Sequence, residues 1–301
     1  MDSEPALSEG QGAWLSQCSL EFTTDHRGNT RHQGGCSAPL KLLRAVTTDD
    51  GRCELPILHT AGGLVGGDAL TVGLTLNGMS RCLITSVAAQ KAYGSVKRSR
   101  LHPEGRWSKQ TVYAKQEENT DLEWLPQEVV IYADAMFEQS IEIELAQNAS
   151  FLGMDIARLG RTAAGEQLNQ GRWRSALTIK RWENNNPSWE FVDRTEIDQH
   201  SLNSIHGIAG EPVVGSLVWA APQPLTAADI NSLLEGARHD REGLSGQMRC
   251  GELKQGVIAR YVGDSSRDAR FWFSRIWRRT RKIRGMEPPE IPRYWPLQET
   301  A

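Results

Sequence analysis

The segment 70–76 limits what this chain can fold into. Leu70, Val72, Leu74 and Leu76 alternate with Thr71, Gly73 and Thr75, a period of two that puts the apolar side chains on one face of a strand. Directly before it runs His59-Thr60-Ala61-Gly62-Gly63-Leu64-Val65-Gly66-Gly67-Asp68, four glycines and one carboxylate in ten residues. Glycines at this density mark backbone at positive φ, or backbone that something must approach closely. A phosphate cradle needs such glycines to open a helix, whose N-terminus receives the anion. Here a strand follows, the spacing is not Gly-x-Gly-x-x-Gly, and no Gly-Lys-Ser/Thr occurs. The loop is expected to be a tight turn between extended segments that aims Asp68 into a polar interior.

The same punctuation recurs along the chain. Extended runs are expected at 14–22, 39–46, 82–86, 111–115, 129–132, 137–145, 175–181, 190–193, 213–219 and 257–262, separated by turn signals such as Asn77-Gly78 and Asn184-Asn185-Asn186-Pro187. Two stretches change period. Thr226-Ala-Ala-Asp229 resembles a capping box before Ile230, Leu233, Leu234 and Ala237. From Ser265 or Ser266 to Arg284, Ala269, Trp272, Phe273, Ile276, Trp277, Thr280 and Ile283 form one helical stripe. Arg270, Arg275, Arg278, Arg281 and Lys282 lie off it, on what reads as a solvated or partner-binding face. The fold class is therefore mostly β: stacked sheets of many short strands with about two α-helices in the C-terminal third. Residues 1–12 read as a loose N-terminus and 13–301 as one domain.

Composition excludes several classes. The hydrophobic fraction of 39% and charged fraction of 24% are those of an ordinary globular protein. The acidic start Met1-Asp2-Ser3-Glu4-Pro5 is no secretory signal, and no apolar run reaches the ~20 residues that span a bilayer. A cytoplasmic protein with no membrane or nucleic-acid partner is expected. The five cysteines, 18, 36, 53, 82 and 250, form no CxxC, so single thiols are expected rather than a disulfide framework. The seven histidines form no ligand pair; His59, beside the loop, could meet a metal, but packing is the expected role. Charge is uneven: 116–145 carries nine Asp/Glu and no Lys/Arg, whereas 241–284 carries twelve Lys/Arg and four Asp/Glu. Such asymmetry suggests faces that meet different partners.

A second dense spot lies at 154–172, with Asp155, Arg158, Gly160, Arg161, Gly165 and Glu166. One reading is a salt-bridged turn. The other is the lining of a polar cavity that passes a cation, since carboxylate oxygens suit hydrated divalent ions. Although no nucleic-acid partner is expected, two alternative readings of the whole chain stay open: a nucleotide-binding enzyme using the glycine loop, or a nucleic-acid binder using the basic C-terminal helix.

Taken together, the Leu58–Asp68 run, Ile84-Thr85-Ser86 leading to Lys91-Ala-Tyr93-Gly-Ser95, and Gly160-Arg161-Thr-Ala-Ala-Gly165-Glu166 resemble the urease accessory protein UreD (UreH) family. Arg27-Gly-Asn-Thr30, Pro39-Leu40 and Trp124-Leu-Pro126-Gln-Glu128 extend the likeness, which is collinear over roughly 14–220. The departure is at Gly94, where that family carries a basic residue. The resemblance implies a non-catalytic maturation protein of stacked β-sheets. It also implies apo-urease and UreF as partners, UreG through UreF, and no tightly bound cofactor. A polar internal tunnel would pass Ni²⁺ transiently. On that footing Asp68, Asp155 and Glu166 are the candidate transit residues. Arg158 and Arg161 are expected to hold these carboxylates. Gly62, Gly63, Gly66 and Gly67 would shape the loop, with Lys91, Tyr93 and Ser95 on the neighbouring strand.

Overall fold

A computed structural model describes residues 12–295 apart from Asn185. The expected loose segment 1–12 falls outside the described residues except for Gly12, and so does one residue of the 184–187 turn.

Two sheets stack face to face. The first has seven strands in the spatial order β15 (Asn186–Ile197), β14 (Arg172–Glu183), β12 (Met136–Leu145), β9 (Ser108–Gln116), β6 (Ala69–Leu76), β1 (Leu15–Thr24) and β2 (Thr30–Cys36). The second, of eleven strands, runs β17 (Gln247–Leu253), β18 (Gly256–Gly263), β16 (Val213–Ala220), β13 (Ser150–Leu159), β10 (Asp121–Trp124), β7 (Arg81–Ser86), β5 (Cys53–His59) and β3 (Leu40–Leu42). Three short strands complete it: β4 (Val46–Thr47) on β5, and β11 (Val129–Ile131) between β13 and β8 (Gln90–Ala92). The extended run expected at 39–46 is thus broken into β3 and β4.

Sheet order explains how parallel strands form without intervening helices. β6, β9, β12 and β14 are parallel neighbours in the first sheet, and β5, β7, β10 and β13 in the second. Parallel neighbours need a crossover connection, usually a helix. Here the crossover is a strand of the opposite sheet: the Asn77-Gly78 turn carries the chain from β6 in one sheet to β7 in the other. The alternating face of 70–76 is the inward face of β6, with Leu70, Val72, Leu74 and Leu76 buried between the sheets beside Phe22, Ile84, Phe137 and Phe151.

The outer face of the second sheet is covered by helices α2 (Ala227–His239) and α3 (Ser266–Ile283). Each starts where its cap predicts: Asp229 N donates to Thr226 Oγ1 at 3.1 Å, and Asp268 N to Ser265 Oγ at 3.1 Å. The apolar stripe of α3 packs on Leu152, Met154, Ile156 and Leu217. Strand β13 is thereby buried on both faces, Phe151 toward the first sheet and Leu152 toward the helices. That removes the alternation by which a strand is read, so β13 was invisible to periodicity. A short helix, α1 (Gln199–Asn203), capped by Asp198, was also not expected.

Three expectations are corrected. Cys18 and Cys36 are not single thiols: they face each other across β1 and β2 and are joined as a disulfide. Asp155 and Arg158 lie within strand β13 and not in a glycine-rich turn. The basic residues of α3 do not form a solvated face, because Arg270 and Arg281 are buried. The acidic stretch supplies their partners: Glu128 for Arg270, Glu123 for Arg281 and Asp121 for Arg284. Part of the uneven charge read from the sequence is therefore satisfied within the molecule.

Candidate functional site

The glycine loop and the 90–95 segment form one unit. Leu64 N donates to Lys91 O at 2.7 Å and Tyr93 N to Leu64 O at 2.8 Å, so the loop adds a bridge beside β8. The Tyr93 hydroxyl reaches Gly62 O at 3.3 Å, and its ring lies against Gly63. Close approach is most demanding at Gly66, where a Cβ would stand 2.1 Å from Ser95 Oγ and 2.8 Å from Arg106 O. Gly67, at φ +104°, lies beneath the Arg106 guanidinium. Only glycine fits both positions.

Asp68 closes this unit. It is 1% exposed; Oδ1 accepts from Trp14 N at 2.8 Å and Oδ2 from Val65 N at 2.8 Å. The carboxylate therefore holds its own loop and the backbone just before β1, using backbone donors that no other group meets among the described residues. The glycines end in an Asp-clamped turn, with strand β6 and no helix behind it, and the loop carries no helix N-terminus for a phosphate.

Two cavities lie between the sheets. One, of about 250 Å³, is lined by Leu58, His59, Thr85, Gln90, Lys91 and Trp124 among others. His59 Nδ1 is 3.3 Å from Gln90 Nε2, while His59 Nε2 is buried with no partner among the described residues. Burial lowers the His59 pKa against the opposing pull of Asp68, which favours the neutral imidazole. The second cavity, of about 30 Å³, is lined by Trp124, Asp155, Trp173, Ser175 and Asp193 among others, room for little more than a water or two. Trp124 is a wall of both. The Asp155 carboxyl lines this space, and burial pushes its pKa up to about 6 against the hydrogen bonds from Gln139 and Ser175, the latter at 3.3 Å. Gln139 and Ser175 come from strands of the facing sheet, so nothing near Asp155 in sequence announces them.

The remaining candidates sit apart from these cavities. Glu166 follows a single 3₁₀ turn, Thr162–Ala164, and accepts from Ala133 N at 2.9 Å and from Arg161 Nε at 2.8 Å. Its pKa is lowered first by the Arg161 hydrogen bond. Arg161 also stacks on the Tyr132 ring at 4.5 Å, and Tyr132 meets Tyr93 edge-on. The Glu166 loop is thus coupled to the Lys91–Ser95 segment through two aromatic rings. Arg158 departs from expectation: among the described residues it holds no carboxylate, and it donates to Thr162 Oγ1 at 2.7 Å and Asp264 O at 3.1 Å. Among the described residues no group of three or more His, Cys, Asp or Glu is placed to hold a metal ion.

Comparison with known proteins decides the family. The profile described as UreD urease accessory protein matches residues 15–296. This chain belongs to the UreD family. It is 64% identical to the urease accessory protein UreD of Parasynechococcus marenigrum (strain WH8102), over 95% of this chain and 92% of that one. It is 62% identical to UreD of Synechococcus sp. (strain CC9605), with the same coverage of both chains. Against UreD of Prochlorococcus marinus (strain MIT 9313) it is 52% identical, over 96% and 93% of the two chains. Membership makes the chain a urease accessory protein and not an enzyme. Among the described residues no helix is long and apolar enough to cross a membrane.

Proposed function

We propose that this UreD-family protein is a cytoplasmic scaffold of urease maturation. It binds apo-urease and UreF, meets UreG through UreF, and gives Ni²⁺ a shielded path. Trp124, the shared wall of two inter-sheet cavities, is the observation that carries the path. A travelling cation needs ligands strong enough to replace some hydration and weak enough to release it. Oxygen ligands and a single neutral imidazole meet that need better than a closed cysteine or histidine cage. Asp155 lines one cavity and His59 the other. Asp68 and Glu166 order the walls: Asp68 fixes the turn behind His59, and Glu166 fixes the loop that reaches Tyr93 through Arg161 and Tyr132.

The alternatives lose their sites. A nucleotide held at the glycine loop would need the helix that β6 replaces, and a nucleic acid read by α3 would need the arginines that Glu123, Glu128 and Asp121 hold.

The test is capture of partners followed by urease activation. The tagged protein should retain urease subunits and UreF from native cytosol. Asp155→Ala should keep both partners while slowing urease activation. Normal activation by Asp68→Ala, Asp155→Ala and Glu166→Ala alike would remove the path, and failure to retain either partner would remove the scaffold.

A further inference from the structure

A cleft of about 260 Å³ opens where the glycine loop meets the 94–106 segment, lined by Gly66, Ser95, Arg98, Ser99, His102 and Arg106 among others. Residues 91–106 carry five Lys/Arg and one Asp/Glu. Elsewhere in the fold many arginines are held by carboxylates, as Arg161, Arg174, Arg181 and Arg279 are. Arg98 and Arg106 have no carboxylate within ion-pairing distance among the described residues. Their places are nonetheless defined. The Arg106 guanidinium lies over Gly67, its Cζ 2.7 Å from where a Cβ would stand, and Arg98 Nε is 3.6 Å from the Cβ position of Gly94.

The hydroxyls are arranged to donate. Ser95 Oγ accepts from Arg106 N at 2.6 Å, and Ser99 Oγ accepts from Leu101 N at 3.2 Å and His102 N at 3.3 Å. Each oxygen is fixed by backbone donors, which leaves its own proton for another acceptor. Two acidic side chains lie beside the cleft with partners of their own: Glu104 is 3.5 Å from His102 Nδ1, and Asp134, whose Cβ is as near the Cβ position of Gly94 as Arg98 Nε is, accepts from Gln170 N at 3.4 Å. The cleft thus gathers two guanidinium forks and two hydroxyl donors.

The geometry points to an oxyanion site for a phosphoryl group, taken as inorganic phosphate or as a nucleotide's phosphate. A carboxylate is satisfied by one bidentate arginine, whereas a dianion with three acceptor oxygens uses two forks and two hydroxyls. The cleft is smaller than the ~300–1,000 Å³ typical of sites for drug-sized ligands, in keeping with a small group. This site is distinct from a phosphate cradle: side chains behind the loop would hold the anion, and the glycines only let them approach. It does not depend on the nickel path.

Isothermal titration of the full-length protein with inorganic phosphate at low ionic strength tests it, alongside Arg98→Gln and Arg100→Gln. Arg100 is exposed on the same loop and outside the cleft lining, so the two variants remove the same charge from different places. Phosphate should bind the wild type saturably, bind Arg100→Gln equally, and bind Arg98→Gln about tenfold more weakly. A nucleoside diphosphate that binds more tightly, with the same Arg98 dependence, would identify a phosphate ester as the ligand; equal affinity would identify free phosphate. Absence of saturable phosphate binding, or an equal loss in both variants, would overturn the proposal.

Discussion

Glu123→Gln should damage this protein far more than its shape suggests. Glu123 is 1% exposed and sits where β10 passes beneath α3. It accepts from Arg281 Nε at 2.9 Å, Arg281 Nη2 at 2.7 Å and Trp277 Nε1 at 2.8 Å, with Arg52 Nη1 at 3.6 Å. Arg52 is fully buried and shared with Asp121, whose carboxylate it meets at 2.6 Å. The amide keeps the volume but removes the charge and one acceptor, leaving Arg281 and Arg52 undercompensated away from water. Breaking a buried pair by removing one partner costs about 3–5 kcal/mol, a fifth or more of a typical domain stability of about 5–15 kcal/mol. Urea unfolding followed by tryptophan fluorescence reads this directly, because Trp277 lies against the altered group. With a slope of about 3 kcal/mol per molar, the midpoint should fall by roughly 1–1.7 M. A second variant, Arg281→Met, completes a double-mutant cycle, and the two changes should cost less together than their sum. A midpoint within about 0.3 M of wild type, or strict additivity, would refute the reasoning.

Three further outcomes follow from the same geometry. Burial alone would raise the Asp121 pKa, but Arg52 and Arg284 overcome it and hold the carboxyl below the ordinary range; its stabilisation is therefore complete above about pH 4 and lost as pH falls below that. Circular dichroism should show acid unfolding setting in at higher pH in Arg284→Gln. Asp155 has the opposite sign: its pKa is raised to about 6, so its favourable contribution is present below about pH 4 and lost as pH rises through 6. Asp155→Asn should melt higher than wild type at pH 8, with the difference closing by pH 4. Gly66→Ala should displace the loop from Ser95, since the added Cβ would stand 2.1 Å from its hydroxyl; thermal unfolding should fall by several degrees and Lys91–Ser95 amides should lose hydrogen-exchange protection.

Local pattern carried much of the architecture. The alternation in β6 and in parts of β12 and β14 needed only one buried face to be readable, and the caps at Thr226 and Ser265 located both long helices. Where two faces are buried, as in β13, pattern failed because hydrophobicity no longer alternates. The glycine loop was legible as a turn, but its partner was not. The contacts of Gly63 and Gly66 with Tyr93 and Ser95 link segments some thirty residues apart, and no propensity encodes which backbone a glycine admits. The disulfide was missed for a similar reason, since only the register of β1 with β2 brings Cys18 opposite Cys36. Asp155 stands out by its neighbours in sequence, yet the groups that set its chemistry come from the facing sheet.

Sequence by itself determined that this chain forms stacked strands, two capped helices late in the chain, and a glycine turn unsuited to a phosphate cradle; its motifs also carried the family likeness. Each is a property of residues a few positions apart, where backbone conformation and side-chain period act directly. Tertiary structure alone decided what the charges do. The acidic 116–145 and basic 241–284 stretches read as faces for different partners, but α3 lies across β10 and brings Glu123, Asp121 and Glu128 to Arg281, Arg284 and Arg270. Coulomb attraction between buried groups depends on separation and on the exclusion of water, and neither is set until the chain has packed.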